Sequence, residues 1–128
     1  MRKYFALLMF ASISFLFAGK VAAQSNTESS PLLRHIVMIT FKKDAPADSV
    51  RALDDIYLGL SKSPFVKDFE MGVNMSPRDT ALKHVYMTSF ASKEDMDKYK
   101  KAPPYQKLFK SSLAIASEVT VADYWAKK

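Results

Sequence analysis

Apolar and polar residues alternate along four stretches of this chain and recur at helical spacing along three others. Arg34 to Lys42 (RHIVMITFK) is rich in β-branched residues and reads as a strand. His35, Val37, Ile39 and Phe41 fall on one face of it, and Ile36, Met38 and Thr40 on the other. Both faces are largely apolar, so both need covering. Asp44-Ala45-Pro46 is a turn and helix start. Val50, Leu53, Ile56, Tyr57 and Leu60 then recur at helical spacing until Ser63-Pro64 stops the helix. Val66 to Asn74 alternates as a half-exposed strand, with Phe69, Met71 and Val73 on one face, and a polar loop (MSPRDTAL) follows. Lys83 to Phe90 is a third strand, with His84, Tyr86, Thr88 and Phe90 facing one way. Ser92 to Asp95 resembles a capping box with Asp in place of Glu, and opens a short helix bearing Met96 and Tyr99 on one face. Ala102-Pro103-Pro104 breaks that helix. Tyr105, Leu108, Phe109 and Leu113 mark another, and Glu118 to Tyr124 is a final alternating strand.

The order β-α-β-β-α-β predicts an α+β, ferredoxin-like unit: one four-stranded antiparallel or mixed sheet with its helices on one face. The first strand, apolar on both sides, predicts a second copy on the open face. The pair would form a homodimeric α+β barrel. A monomer that simply exposes Ile36 and Met38 is the alternative, since apolar atoms are common on surfaces.

Composition alters this picture mainly at the N-terminus. The 128 residues carry a formal charge of +6 and no cysteine. Disulfides, thiolate metal sites and cysteine nucleophiles are excluded. Arg2 and Lys3 precede an apolar run from Tyr4 to Phe17, and small residues lead to Ala23. These are the three parts of a secretory signal peptide over residues 1–23. A spanning helix needs about 20 apolar residues, more than this run has. Cleavage after Ala23 removes three bases and no acid, leaving 105 residues with a charge of +3. Residues 24–31 (QSNTESSP) read as a flexible leader, and residues 32–128 as the folded domain. The protein is therefore expected to be exported, to the periplasm or beyond, with no membrane anchor after cleavage and no nucleic acid as partner. The lysines around Lys98, Lys100, Lys101, Lys107 and Lys110 have Asp95 and Asp97 beside them and read as a solvated helix face.

RHIVMITFK, FEMGVNMSPRD, HVYMTSFASKEDMDKY, the proline turn and VTVADYW together resemble the stress-responsive dimeric α/β-barrel (Dabb) domain family, from about Leu33 to Trp125. The resemblance implies a ferredoxin-like unit that pairs into a barrel. One plant member closes a linear polyketide without cofactor or metal. By resemblance, His35 matches the histidine that opens the family's first strand and lines that cyclase's cavity. Val37 and Ile39 match apolar cavity residues, Leu53 and Tyr57 match aromatic ones, His84 matches a third-strand histidine, and Tyr99 matches a hydrogen-bonding tyrosine. The family's turn reads His-Pro-Ala-His, its second histidine being the cyclase's general base. Here it reads Ala102-Pro103-Pro104-Tyr105, so both histidines are absent and Tyr105 stands at the base position.

Taking the first and third strands as adjacent and parallel, His35 and His84 share one end of the sheet, where Tyr99 and Tyr105 converge on them. Val37, Ile39, Leu53, Tyr57, His84 and Tyr86 would then line a pocket for a small apolar or aromatic ligand. Half-ionising Tyr105 at pH 7 would require its pKa to fall by about 3, or roughly 4 kcal/mol. Ligand binding is the first reading; the alternatives are a cofactor-free cyclase, lyase or isomerase, with His35 as acid/base and Tyr99 or Tyr105 as hydrogen-bond donor, and a purely structural dimerising protein. The plainer reading is that both histidines are hydrogen-bonded strand-end residues without chemistry. Two histidines with no third ligand at suitable spacing give no metal site. No G-x-S-x-G or glycine-rich phosphate loop is present, and no cofactor is expected.

Overall fold

β1 (Leu33–Phe41) alternates buried and half-buried residues along its whole length. In the computed structural model, which describes residues 30–127, this strand is the spine of the sheet. The expected signal segment and most of the expected leader lie outside the described residues. β1 is followed by α1 (Ala47–Leu60), β2 (Asp68–Val73), β3 (Lys83–Phe90), α2 (Lys93–Lys101), α3 (Pro103–Ile115) and β4 (Ala116–Trp125). The strands form one antiparallel sheet in the order β2-β3-β1-β4. This is the ferredoxin-like arrangement, with the helices on one face.

Local chemistry sets the element ends. Pro46 precedes the first turn of α1. The Ser92 hydroxyl accepts the Asp95 N–H at 3.1 Å and caps α2. Pro103 and Pro104 occupy the first positions of α3, where their missing N–H groups cost nothing. β4 runs longer than its alternation suggested, taking in Ala116 and Trp125.

One expectation is overturned. β1 and β3 are adjacent but antiparallel. α1 returns the chain so that β2 runs with β1, and β3 then doubles back from β2 as its antiparallel neighbour. β3 slots between the two and must oppose both. His35 therefore pairs with Thr88, while His84 pairs with Ile39. Four residues of strand, about 13 Å, separate the two histidines. They do not share a site.

The core lies between the helices and the face of β1 that carries His35, Val37, Ile39 and Phe41. Tyr57 of α1 stacks on Tyr86 of β3 with ring centroids 3.7 Å apart, and Phe90 meets Tyr99 edge-on at 5.0 Å. A polar rivet joins α1 to β3 in the same layer. The Tyr86 hydroxyl donates to Asp54 Oδ1 at 2.6 Å, and His84 Nδ1 lies 2.9 Å from the same oxygen. The opposite face of the sheet carries Ile36, Met38, Val85 and Met87 at its centre, all half-buried with no layer over them. No helix among the described residues is long and apolar enough to cross a membrane.

Replacing Asp54 by Ala strands two buried polar groups, each worth about 1–3 kcal/mol. Urea unfolding of D54A should show a loss of about 2–4 kcal/mol. A loss below about 0.5 kcal/mol would mean that the rivet does not tie α1 to the sheet.

Candidate functional site

The β1–β4 register places His35 directly opposite Asp123. His35 keeps step with Val37 and Ile39, and Asp123 with Val121 and Val119, so both side chains project to the helix side. They meet there. Nδ1 of His35 lies 2.5 Å from Oδ1 of Asp123. The imidazole is buried, whereas Asp123 sits on the edge strand with its carboxylate partly open to water. α2 contributes Lys100, whose ammonium donates to the other carboxylate oxygen at 3.3 Å. Lys100 thus leaves the solvated face expected for it and turns toward the sheet. α3 brings Tyr105, whose hydroxyl lies 3.5 Å from His35 Nε2, at the outer limit of a hydrogen bond. The Tyr105 ring rests 5.3 Å from that of Tyr99. Tyr99 is fully buried, and its hydroxyl has no hydrogen-bond partner among the described residues.

These contacts decide proton positions. An ionised Asp123 takes its hydrogen bond from Nδ1–H, leaving Nε2 as the unprotonated nitrogen that faces Tyr105. Burial holds the His35 pKa below its ordinary value; the Asp123 bond opposes this, and the Lys100 charge reinforces it. Partial burial works to raise Asp123, but its bonds to His35 and Lys100 outweigh that and hold it below the usual carboxylate range. Burial pushes the Tyr105 phenol up, with the charge of Asp123 adding to the rise. Burial likewise raises Tyr99, to about 12. At neutral pH the cluster therefore holds a neutral imidazole, a carboxylate and protonated phenols.

A hollow of about 60 Å³ adjoins this cluster, between α3 and the β1–β4 half of the sheet. Val37, Tyr57 and Tyr105 line it, together with Leu108, Phe109, Ser112, Val119 and Val121. Its outer walls, Phe109, Val119 and Val121, are themselves exposed, so it gives onto solvent along an apolar strip. Of the residues expected at the site, the structure brings His35, Tyr99, Tyr105, Val37 and Tyr57 together. Ile39 and Tyr86 are sealed in the core with no exposed surface. Leu53 lies on the far side of α1's buried face, in a shallow groove against α3. His84 belongs to the Asp54 rivet.

Three residues escaped the sequence reading: Asp123 and Lys100 at the site, and Asp54 in the rivet. Two of them had left a signal. Asp123 is a charge in the inward phase of an otherwise apolar alternation, in step with Val119 and Val121. Asp54 sits one helical turn from Val50 and three residues before Tyr57, at the edge of the buried stripe of α1. A carboxylate at such a position implies a buried partner. Among the described residues, no three of His, Asp and Glu gather as a metal-holding group.

Comparison with known proteins bears on this frame. Among solved structures, hydroxynitrile lyase from Passiflora edulis is similar at a TM-score of 0.70 and 21% identity, over 77% of this chain and 96% of its own. A dimeric ferredoxin-like protein of unknown function from Thermobifida fusca aligns at 0.67 and 11% identity, over 77% and 93%. A Dabb family protein with a ferredoxin-like fold from Mesorhizobium loti aligns at 0.64 and 19% identity, over 77% and 99%. At these identities the likeness is one of fold. No match was found among curated proteins. The model of the stress responsive A/B barrel domain matches residues 33–126, from the first residue of β1 to just past the end of β4, and the chain belongs to that family.

Proposed function

We propose that this protein is an exported homodimer that takes a small, mostly apolar molecule between α3 and the β1–β4 half of its sheet. There it moves a proton on that molecule by the acid–base chemistry of its own side chains. The observation that carries this reading is the His35–Asp123 pair. Asp123 fixes the tautomer, so Nε2 is the free base, and burial keeps it free at neutral pH. Tyr105 stays protonated beside it as the donor.

This pairing suits a lyase, isomerase or cyclase step. A substrate C–H or O–H gives its proton to Nε2, and the Tyr105 hydroxyl hydrogen-bonds the substrate oxygen that gains charge. Asp123 stabilises the imidazolium that forms, and Lys100 balances the carboxylate. In this role His35 replaces the turn histidine that the family's cyclase uses. A lyase on the same fold in Passiflora edulis supports the reading.

The dimer follows from the uncovered centre of the sheet, Ile36, Met38, Val85 and Met87. A second sheet laid face to face would take these residues out of water. Neighbours of this fold that are described as dimeric support it. Export rests on the signal-like residues 1–23.

Thermal-shift screening with small aromatic and polyketide-like compounds should yield a stabilising ligand, and its turnover can then be followed. His35→Ala should lower that turnover by about 10²–10⁴, and Tyr105→Phe by less. Unchanged turnover in H35A would falsify the reading. The working form of His35 is neutral, so the rate should be full above its pKa and fall as pH drops through it. That limb should lie below pH 6.5, the ordinary histidine value. Stability follows the same sign. The His35 contribution is complete above pH 6.5 and declines as pH falls through the lowered folded value. The Asp123 contribution follows at more acid pH, below its ordinary 3.8. Separately, sedimentation should find a dimer in the wild type and a monomer in Met38→Glu. A wild-type monomer at high concentration would remove the barrel.

A further inference from the structure

A larger cleft adjoins the His35 cluster, sharing only Tyr99 with it, between the C-terminal turn of α1 and the α2–α3 turn. Its volume is about 810 Å³, within the ~300–1,000 Å³ usual for small-ligand sites. Ile56, Leu60, Pro64, Tyr99 and Pro103 give it apolar walls, and Lys62 and Lys107 stand among them. No acidic side chain lines it. Lys62 and Lys107 are exposed, and neither joins an ion pair among the described residues.

The cation side chains, rather than the backbone, set the sign of charge at this cleft, since α1 and α2 both end beside it. α3 starts here with no acidic residue in its first turn, and its first two positions are prolines that offer no N–H. The last carbonyls of α1 are already used. The Tyr57 oxygen accepts from Ser61 N–H, Gly59 from Lys62 N–H and Leu60 from Ser63 N–H. The Leu58 oxygen accepts the Ser61 hydroxyl. None of these carbonyls is left unpaired at the mouth of the cleft.

We propose that this cleft is a binding site for a small amphipathic carboxylate, such as a medium-chain or aryl-substituted acid. The apolar body lies against Ile56, Leu60, Pro64 and Tyr99. The carboxylate is held at the mouth by Lys62 and Lys107. The two lysines select a charged end, and the walls select a body without polar groups. The site is independent of the proton-transfer reading and makes no use of His35.

The test is a titration of the purified protein with octanoate and 3-phenylpropanoate, and with octan-1-ol as the uncharged match, followed by amide NMR shifts. Both acids should bind saturably and move Ile56, Leu60 and Lys107. They should bind about tenfold more tightly than the alcohol and weaken with added salt. The double substitution Lys62→Gln and Lys107→Gln should cost the acids about tenfold while leaving the alcohol unchanged. H35A should bind the acids as the wild type does. Equal binding of acid and alcohol, or indifference to the lysine substitutions, overturns the proposal. So do shifts confined to the His35 cluster, an outcome that would leave the proton-transfer reading standing.

Discussion

β1 is held by two antiparallel ladders at once, one to β3 and one to β4. Its register is therefore fixed from both sides, and side chains of period two make that register decisive. A slip of one residue would turn His35 to the open face and put Ile36 under the helices. With the register as it stands, His35, Val37, Ile39 and Phe41 all face the core, and Asp123 arrives opposite His35 without any special device. The same two ladders leave β1 with no free backbone edge. The unpaired edges fall on β2 and β4, and it is at β4 that the site opens to water.

The helix-side layer contains two histidine–carboxylate–tyrosine groups, His35 with Asp123 and Tyr105, and His84 with Asp54 and Tyr86. Their chemistry differs because their surroundings do. Asp54 comes from α1, and its partners are packed under Phe41 and Tyr57; the Phe41 ring meets His84 edge-on at 5.0 Å. Asp54 Oδ1, His84 Nδ1 and the Tyr86 hydroxyl are spent on one another, which suits a rivet. Asp123 comes from an edge strand. Its second oxygen reaches only Lys100, and the free nitrogen of His35 faces a tyrosine at the limit of bonding distance beside a hollow. A base that is oriented but not consumed is what acid–base chemistry needs. Burial makes both groups costly to leave unpaired, and only the first group has an exit.

The folded unit is small, and a domain of about 100 residues buries only roughly two-thirds of the surface of its unfolded chain. The helices cover one face of the sheet. The other keeps four half-buried apolar side chains at its centre, ringed by Arg34, Thr40, Lys83 and Ser89. A polar rim around an apolar middle is the composition of a protein interface. The physical incentive for a second copy thus lies in β1 and β3, the two central strands that carry the sites on their other face.

The alternation and helical spacing of this sequence determined the elements, their order and the fold, because burying an apolar stripe or an alternating face is a local constraint. The resemblance of those segments to the barrel family, not the spacing itself, marked His35, Tyr99 and Tyr105. Strand direction was beyond the pattern's reach. The pattern that made β1 and β3 neighbours could not orient them, and only the hairpin from β2 to β3 set His84 about 13 Å from His35. Nor could it pair Asp123 with His35, since 88 residues separate them and only the β1–β4 register brings them to 2.5 Å. The inward phase of Asp123 announced that a partner was needed. Which partner it found, and whether that partner was sealed in or left facing a hollow, was decided by the tertiary structure, because burial and register belong to the packed sheet and not to any segment of it.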